Sequence, residues 1–247
     1  MIQYFFKPFF YIPLYNALAF IIAHLPHADL GIAVIILTVV VKLIIFPVNV
    51  SAIKTQAKLK ELEPELAAIK EKYPKDREAL ARETMNVYQK NKINPFGSLL
   101  PVLIQFPIII SLYTIFRSSG LPIINQDLLY PFIHSPILAN VLFLNIIDVA
   151  QKSLMLAVIV AITQYIQVQF SIPAIKKLEG QPTFKDDLAR SMNIQMRFIL
   201  PLFTAYIAYI TSGAVALYFI TNNFFAIGQE IYVRKKLRKH QIPVVTS

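Results

Sequence analysis

The sequence predicts an all-α, polytopic membrane protein: five transmembrane helices, an N-terminal interfacial helix and a cytoplasmic helical hairpin. Three observations carry that prediction. Of 247 residues, 56% are hydrophobic and only 15% are charged, where a soluble domain carries about 25% charged residues. The deficit is concentrated in long apolar runs, and about 20 apolar residues are what a helix needs to cross the hydrocarbon of a bilayer. The basic residues gather in three segments that fall on one side of the membrane if there are five spans.

Residues 4–25 are apolar and aromatic but interrupted by Lys7, Pro8, Pro13, Asn16 and His24. A signal peptide, a sixth span and a helix lying on the membrane are all open. The interruptions and the aromatic content favour the interfacial helix. Span 1 is read at 30–50, with one charge, Lys42, and a closing Pro47. Span 2, at 95–116, is uncharged and holds Pro95, Pro101 and Pro107. Interior proline is tolerated in membrane helices when neighbouring groups satisfy the freed carbonyls. Span 3 is read at 154–172, span 4 at 198–211 and span 5 at 213–233, with a turn at Ser212-Gly213. The segment 234–247 is a basic tail, expected to be disordered. All of it forms one domain.

Charge sets the topology. Ten Lys/Arg lie between Lys54 and Lys92, five between Lys176 and Arg197, and five between Arg234 and Lys239. Positive residues gather in the cytoplasm, so the N-terminus is expected outside and the C-terminus inside. The net charge of +10 follows from topology and attraction to anionic lipid, and no DNA partner is implied. The tail has the composition to touch ribosomal RNA through phosphates.

Segment 51–93 reads as a helical hairpin. Leu62, Leu66, Ile69 and Tyr73 recur at helical spacing, followed by Leu80, Thr84 and Val87. Pro64 predicts a kink in the first arm. Asp76 predicts the N-cap of the second.

Lys42 is the most informative residue. It lies twelve residues after Leu30 and eight before Val50, so its Cα stands about 12 Å from the inner end of the predicted span. A charge at such depth costs at least about 2.5–3.5 kcal/mol on insertion scales. Apart from Glu230 near the inner end of span 5, no Asp or Glu lies within the predicted spans. A hydrated cavity open to the cytoplasm fits better than a buried ion pair or simple snorkelling. Thr38, one turn away on the same face, Gln105, the glutamines Gln164, Gln167 and Gln169, and Thr221, Asn222 and Asn223 are candidate lining residues, each with an alternative reading as interhelical glue. The chain has no cysteine, and its four histidines are scattered. No disulfide, metal site or cofactor is expected, and neither a phosphate-binding loop nor paired catalytic carboxylates occur.

Four segments together resemble the YidC/Oxa/Alb family of membrane protein insertases in its short bacterial form. They are Gly31 to Pro47 around Lys42, Leu62-Glu-Pro-Glu-Leu66, Asn94 to Pro107, and Ser212 to Asn223, in matching order over roughly residues 4–235. The resemblance implies a non-enzymatic device of the bacterial cell membrane. Its hydrophilic groove passes hydrophobic segments of nascent membrane proteins into the bilayer, alone or beside the Sec translocon. It implies that Lys42 occupies the groove position usually held by arginine, keeping the charge without the guanidinium fork. Thr38, Gln105, Gln164 and Asn223 carry over as polar groove positions, and Leu62, Pro64 and Leu66 lie in the matching hairpin motif. Phe219 stands where tryptophan is frequent, and Ser212 where proline is frequent. The rival reading is a solute transporter or channel that binds an anion at Lys42, but no internal repeat supports it. An intramembrane protease is disfavoured because Ser111, Ser212 and His134 form no recognisable dyad pattern.

Overall fold

Apolar stretches punctuated by proline, glycine and short polar turns fold here as helices. The structure, a computed structural model, describes residues 6–74, 76–94, 97, 100–118, 122–134, 136–171, 191 and 193–240. A π-turn at Lys7–Tyr11 runs into α1 (Ile12–His24), and α2 spans Leu30–Ile44. Then follow α3 (Phe46–Glu61), α4 (Glu63–Lys72), α5 (Arg77–Lys90) and α6 (Leu100–Ser118). A small antiparallel ribbon pairs β1 (Leu142–Phe143) with β2 (Ile147–Asp148), Leu142 opposite Asp148 and Phe143 opposite Ile147. The chain continues through α7 (Leu154–Ser171), a second π-turn at Gln195–Ile199, α8 (Leu200–Thr211) and α9 (Gly213–His240). The fold is predominantly α-helical, as the sequence predicts. The basic stretch 176–190 and the tail end 241–247 lie outside the described residues.

Two compact units are formed, one by Met1–Leu43 with Phe106–Glu230, the other by Ile44–Gln105 with Ile231–Ser247. In the first, Tyr15, Leu18, Ile22, Leu30, Val34, Ile115, Val149 and Val160 are fully buried. Here α7 packs against α8 and against the π-turn before it, where Tyr165 and Phe198 meet with ring centroids 5.9 Å apart. Three polar side chains of the N-terminal region fasten the irregular connector 122–149. Asn16 donates to the Leu128 carbonyl and accepts from the Tyr130 N–H. The Tyr15 hydroxyl accepts from the Asn125 N–H at 2.8 Å. Asp29 caps α2 through the Ile32 N–H and holds the Leu144 N–H with its other oxygen, each at 2.9 Å. Asn16, an interruption in the apolar run by sequence, is a clamp.

The second unit contains the hairpin. Leu62, Leu66, Ile69 and Tyr73 are half-buried while their neighbours are exposed, and Val87 is buried, so the predicted stripe does form the inner face where α4 meets α5. The helix breaks at Leu62, which places Pro64 in the first turn of α4, where its missing N–H costs nothing. Asp76 caps α5 by accepting from the Glu78 and Ala79 N–H groups.

Some boundaries move. The helix of the predicted span 1 is not continuous: α2 stops at Ile44, Ile45 is non-helical, and Pro47 lies in the first turn of α3. The tail is not disordered from its start, because α9 continues seven residues past Val233 to His240. Among the described residues, α7 alone is long and apolar enough to cross a membrane, and α2 with α3 make a second if that bent pair is one span. Thr221, Asn222, Asn223, Gln229 and Glu230 dilute α9. The twelve residues of α8 rise about 18 Å, short of the roughly 30 Å of hydrocarbon.

Candidate functional site

The buried face of α2 is formed by Leu30, Ala33, Val34, Leu37, Thr38 and Lys42, the i, i+3, i+4 rhythm of one helix side. Its other flank exposes Val40, Leu43 and Ile44. The charge points inward and the aliphatic groups point outward, the reverse of a water-facing helix. Lys42 is only 8% exposed. The early stop of α2 bears on it directly. Lys42 sits in the last turn, where the helix dipole and unpaired carbonyls favour a cation by about 0.3–1 kcal/mol. The break at Ile45 thus places the lysine beside a helix C-terminus rather than in mid-helix. Thr38, buried one turn earlier, turns its hydroxyl back to the Val34 carbonyl at 2.6 Å.

Polar groups occupy several sides of α7. Gln164 donates to Gln167, which donates to the Ser171 hydroxyl, so three polar residues form a ladder along the helix. Gln169 accepts from the Arg197 guanidinium at 2.8 Å. Thr163 donates to the backbone of its own helix and accepts from the Asn223 amide at 3.1 Å, tying α7 to α9. Asn223 is wholly buried, and its carbonyl oxygen has no hydrogen-bond partner among the described residues. The Asn222 side-chain oxygen and the Ser111 hydroxyl on α6 share that condition. Unpaired buried acceptors are rare in proteins and call for a functional explanation.

The remaining surface of α7 and α8 is apolar. Leu154, Val158, Ile162, Ile166 and Phe170 repeat every fourth residue and are all exposed, as are Leu202, Phe203 and Tyr206. Polar groups within and aliphatic groups without is the distribution that lipid demands.

Of the expected groove positions, Thr38 and Lys42 share one helix face. Asn223 bonds the residue adjacent to Gln164. All four lie in the first unit, whereas half-buried Gln105 ends a segment of the second. The hairpin positions Leu62, Leu66 and Tyr73 lie on its inner face and exposed Pro64 at its bend. Thr163 is a participant that sequence reasoning passes over, since one threonine in an apolar helix reads as a residue bonded to its own turn. A cavity of about 370 Å³ lies elsewhere, lined by Tyr113, Phe116, Lys152, Ile210, Thr211 and Ser212, and includes none of the expected groove residues.

The sequence profile of the family described as the 60Kd inner membrane protein matches residues 21–240. The membrane protein insertase YidC of Clostridium tetani is 31% identical over 94% of this chain and 93% of its own length. Proteins of the same name from Saccharophagus degradans and Cellvibrio japonicus are 30% and 32% identical over 96% and 92% of the chain. The chain spans only 38% and 36% of those two relatives.

Proposed function

The chain belongs to the family of the 60Kd inner membrane protein, and on that footing we propose that it is a membrane protein insertase, moving hydrophobic segments of newly made proteins from the cytoplasm into the bilayer. The observation that supports a mechanism is the inward-facing Lys42, buried on α2 opposite the exposed Val40, Leu43 and Ile44. In this reading α2 with the start of α3, then α6, α7, α8 and α9, are five spans of a bacterial cell membrane. The N-terminus is outside and the C-terminus cytoplasmic, as the basic segments require. Residues 4–25 lie at the interface, and the whole chain is one insertase domain.

A polar flank of a substrate must be brought through hydrocarbon, and a wet groove shortens that path. Lys42, Thr38, Gln164 and Asn223 line it in the first unit, and Gln105 is the candidate polar position of the second. Water in the groove satisfies the acceptors of Asn223 and Ser111 and keeps Lys42 charged. An acidic flank is drawn towards the lysine transiently, and the apolar segment leaves sideways into lipid, where burial drives the process. No nucleotide or covalent step is involved. The hairpin around Leu62, Pro64, Leu66 and Tyr73 meets the incoming polypeptide. The basic end of α9 approaches ribosomes or anionic lipid, and the Sec translocon is a candidate neighbour.

Reconstitution tests the reading. Purified protein in liposomes is expected to insert a ribosome-free, acidic-flanked membrane protein without nucleotide or solute gradient. Insertion no greater than in protein-free liposomes, or a specific solute flux instead, would overturn it.

A further inference from the structure

The connector 122–149 alternates between two faces. Ile123 and Leu138 pair across an antiparallel bridge and are both exposed, while the next residues, Ile124 and Ala139, are buried. The same alternation separates exposed Leu142 from the buried Val149 near it on the ribbon. At the ribbon tip Leu144 and Ile146 are 56% and 79% exposed, and Phe132 and Ile137 exceed 70%. The exposed residues of the connector therefore include Ile123, Phe132, Ile137, Leu138, Leu144 and Ile146 beside the polar Asn125, Gln126, Asp127, His134 and Asn145, a larger apolar share than a water-facing ribbon carries. The segment contains no Lys or Arg.

Two further features set this surface apart from a loop in water. Leu144 has φ 52°, a left-handed conformation that turns normally give to glycine or asparagine. A branched aliphatic is held there with its N–H fixed to Asp29 and its side chain outward. Irregular backbone near hydrocarbon also needs its polar groups satisfied from within. Here Tyr15, Asn16 and Asp29 hold the N–H groups of Asn125, Tyr130 and Leu144, and Asn140 exchanges bonds with Ala28 and Leu30. The Phe143 ring closes over Gly31 so tightly that a Cβ there would lie 2.5 Å from it.

We propose that this connector is a lipid-docking platform: its apolar face sits among the headgroups and upper acyl chains at the membrane surface where α6 ends and α7 begins. The platform continues, along the chain, into the exposed Leu154, Met155 and Val158 of α7, which is the argument for lipid over a protein partner. The inference rests on the reading of α6 and α7 as spans.

The chain lacks cysteine, so single reporters are unambiguous. Phe132→Cys, Leu144→Cys and Ile146→Cys would carry an environment-sensitive fluorophore in phosphatidylcholine–phosphatidylglycerol liposomes, with Val158→Cys and Ile162→Cys on α7 and exposed Gln126→Cys as references. The platform sites are expected to emit at shorter wavelength than Gln126→Cys. They should lose the greater part of their emission to doxyl-labelled lipids and little to aqueous iodide. Iodide quenching at 144 and 146 while 158 and 162 answer to doxyl lipid would overturn the platform and leave α7 a span. Protection from both quenchers would mean a protein covers the face, which also overturns it. Iodide quenching at 158 and 162 would remove the span reading itself, and the platform with it.

Discussion

Replacing Asn223 by leucine separates stability from function in this account. The two side chains share a heavy-atom skeleton, so the change removes polarity with little change of shape. The variant loses the bond from the Asn223 amide to Thr163, and interhelical bonds in membranes average about 0.6 kcal/mol, with a maximum near 1.7. Thr163 is not orphaned, because its hydroxyl still donates to the Ile159 and Val160 carbonyls. The Asn223 oxygen has no partner among the described residues, and groove water that satisfies it leaves no desolvation penalty for the variant to relieve. The balance is a loss of about 0.6 kcal/mol, and at most about 1.7. Thermal unfolding in detergent is therefore expected to fall only slightly, while insertion of acidic-flanked substrates falls in proteoliposomes. A double-mutant cycle with Thr163→Val should return a coupling of about 0.6 kcal/mol. Destabilisation beyond about 2 kcal/mol would make Asn223 a packing residue, since losses of that size accompany cavities and broken networks. Full insertion activity would refute its place in the groove.

Three further outcomes follow from particular residues. Asp29→Ala removes both the cap of α2 and the anchor of Leu144. A loss of about 2–3 kcal/mol is expected, with faster amide exchange over 137–149; unchanged exchange would contradict the clamp. Asp76→Ala should cost about 1 kcal/mol of helix stability confined to α5, read as increased exchange at Glu78 and Ala79 with the spans unaffected. Truncation after Val233 removes the helical basic end of α9 and should weaken ribosome and anionic-liposome association in a salt-dependent way. Loss of insertion of a ribosome-free substrate would show that the segment does more than deliver.

Much of the fold is written in local pattern. The stripe Leu62, Leu66, Ile69, Tyr73 and the cap Asp76 lie within one hairpin, and α7 begins at Leu154, where the apolar run begins. The break at Ile45 was not legible, because Ile44-Ile45-Phe46-Pro47 is as apolar as the helix before it and proline can kink or end a helix. Asn16 reads as a polar interruption and Asp29 is passed over, because the partners that give them their roles lie more than a hundred residues away. The helical start of the tail was misread from composition alone. A basic segment that continues an existing helix escapes the nucleation cost that would leave it disordered in isolation. The shared face of Lys42 and Thr38 is legible from one helix period, whereas the Thr163–Asn223 bond depends on how α7 meets α9, which no local pattern specifies.

The most direct test of the central claim is the accessibility of position 42. In the cysteine-free background, Lys42→Cys in oriented membranes is expected to react with a membrane-impermeant thiol reagent from the cytoplasmic side. Val40→Cys, on the outward flank of the same helix, is expected to stay unreactive. In parallel, Lys42→Arg should retain insertion and Lys42→Met should lose it selectively for acidic-flanked substrates. An unreactive cysteine at position 42, with full activity of Lys42→Met on those substrates, would contradict the groove-charge mechanism.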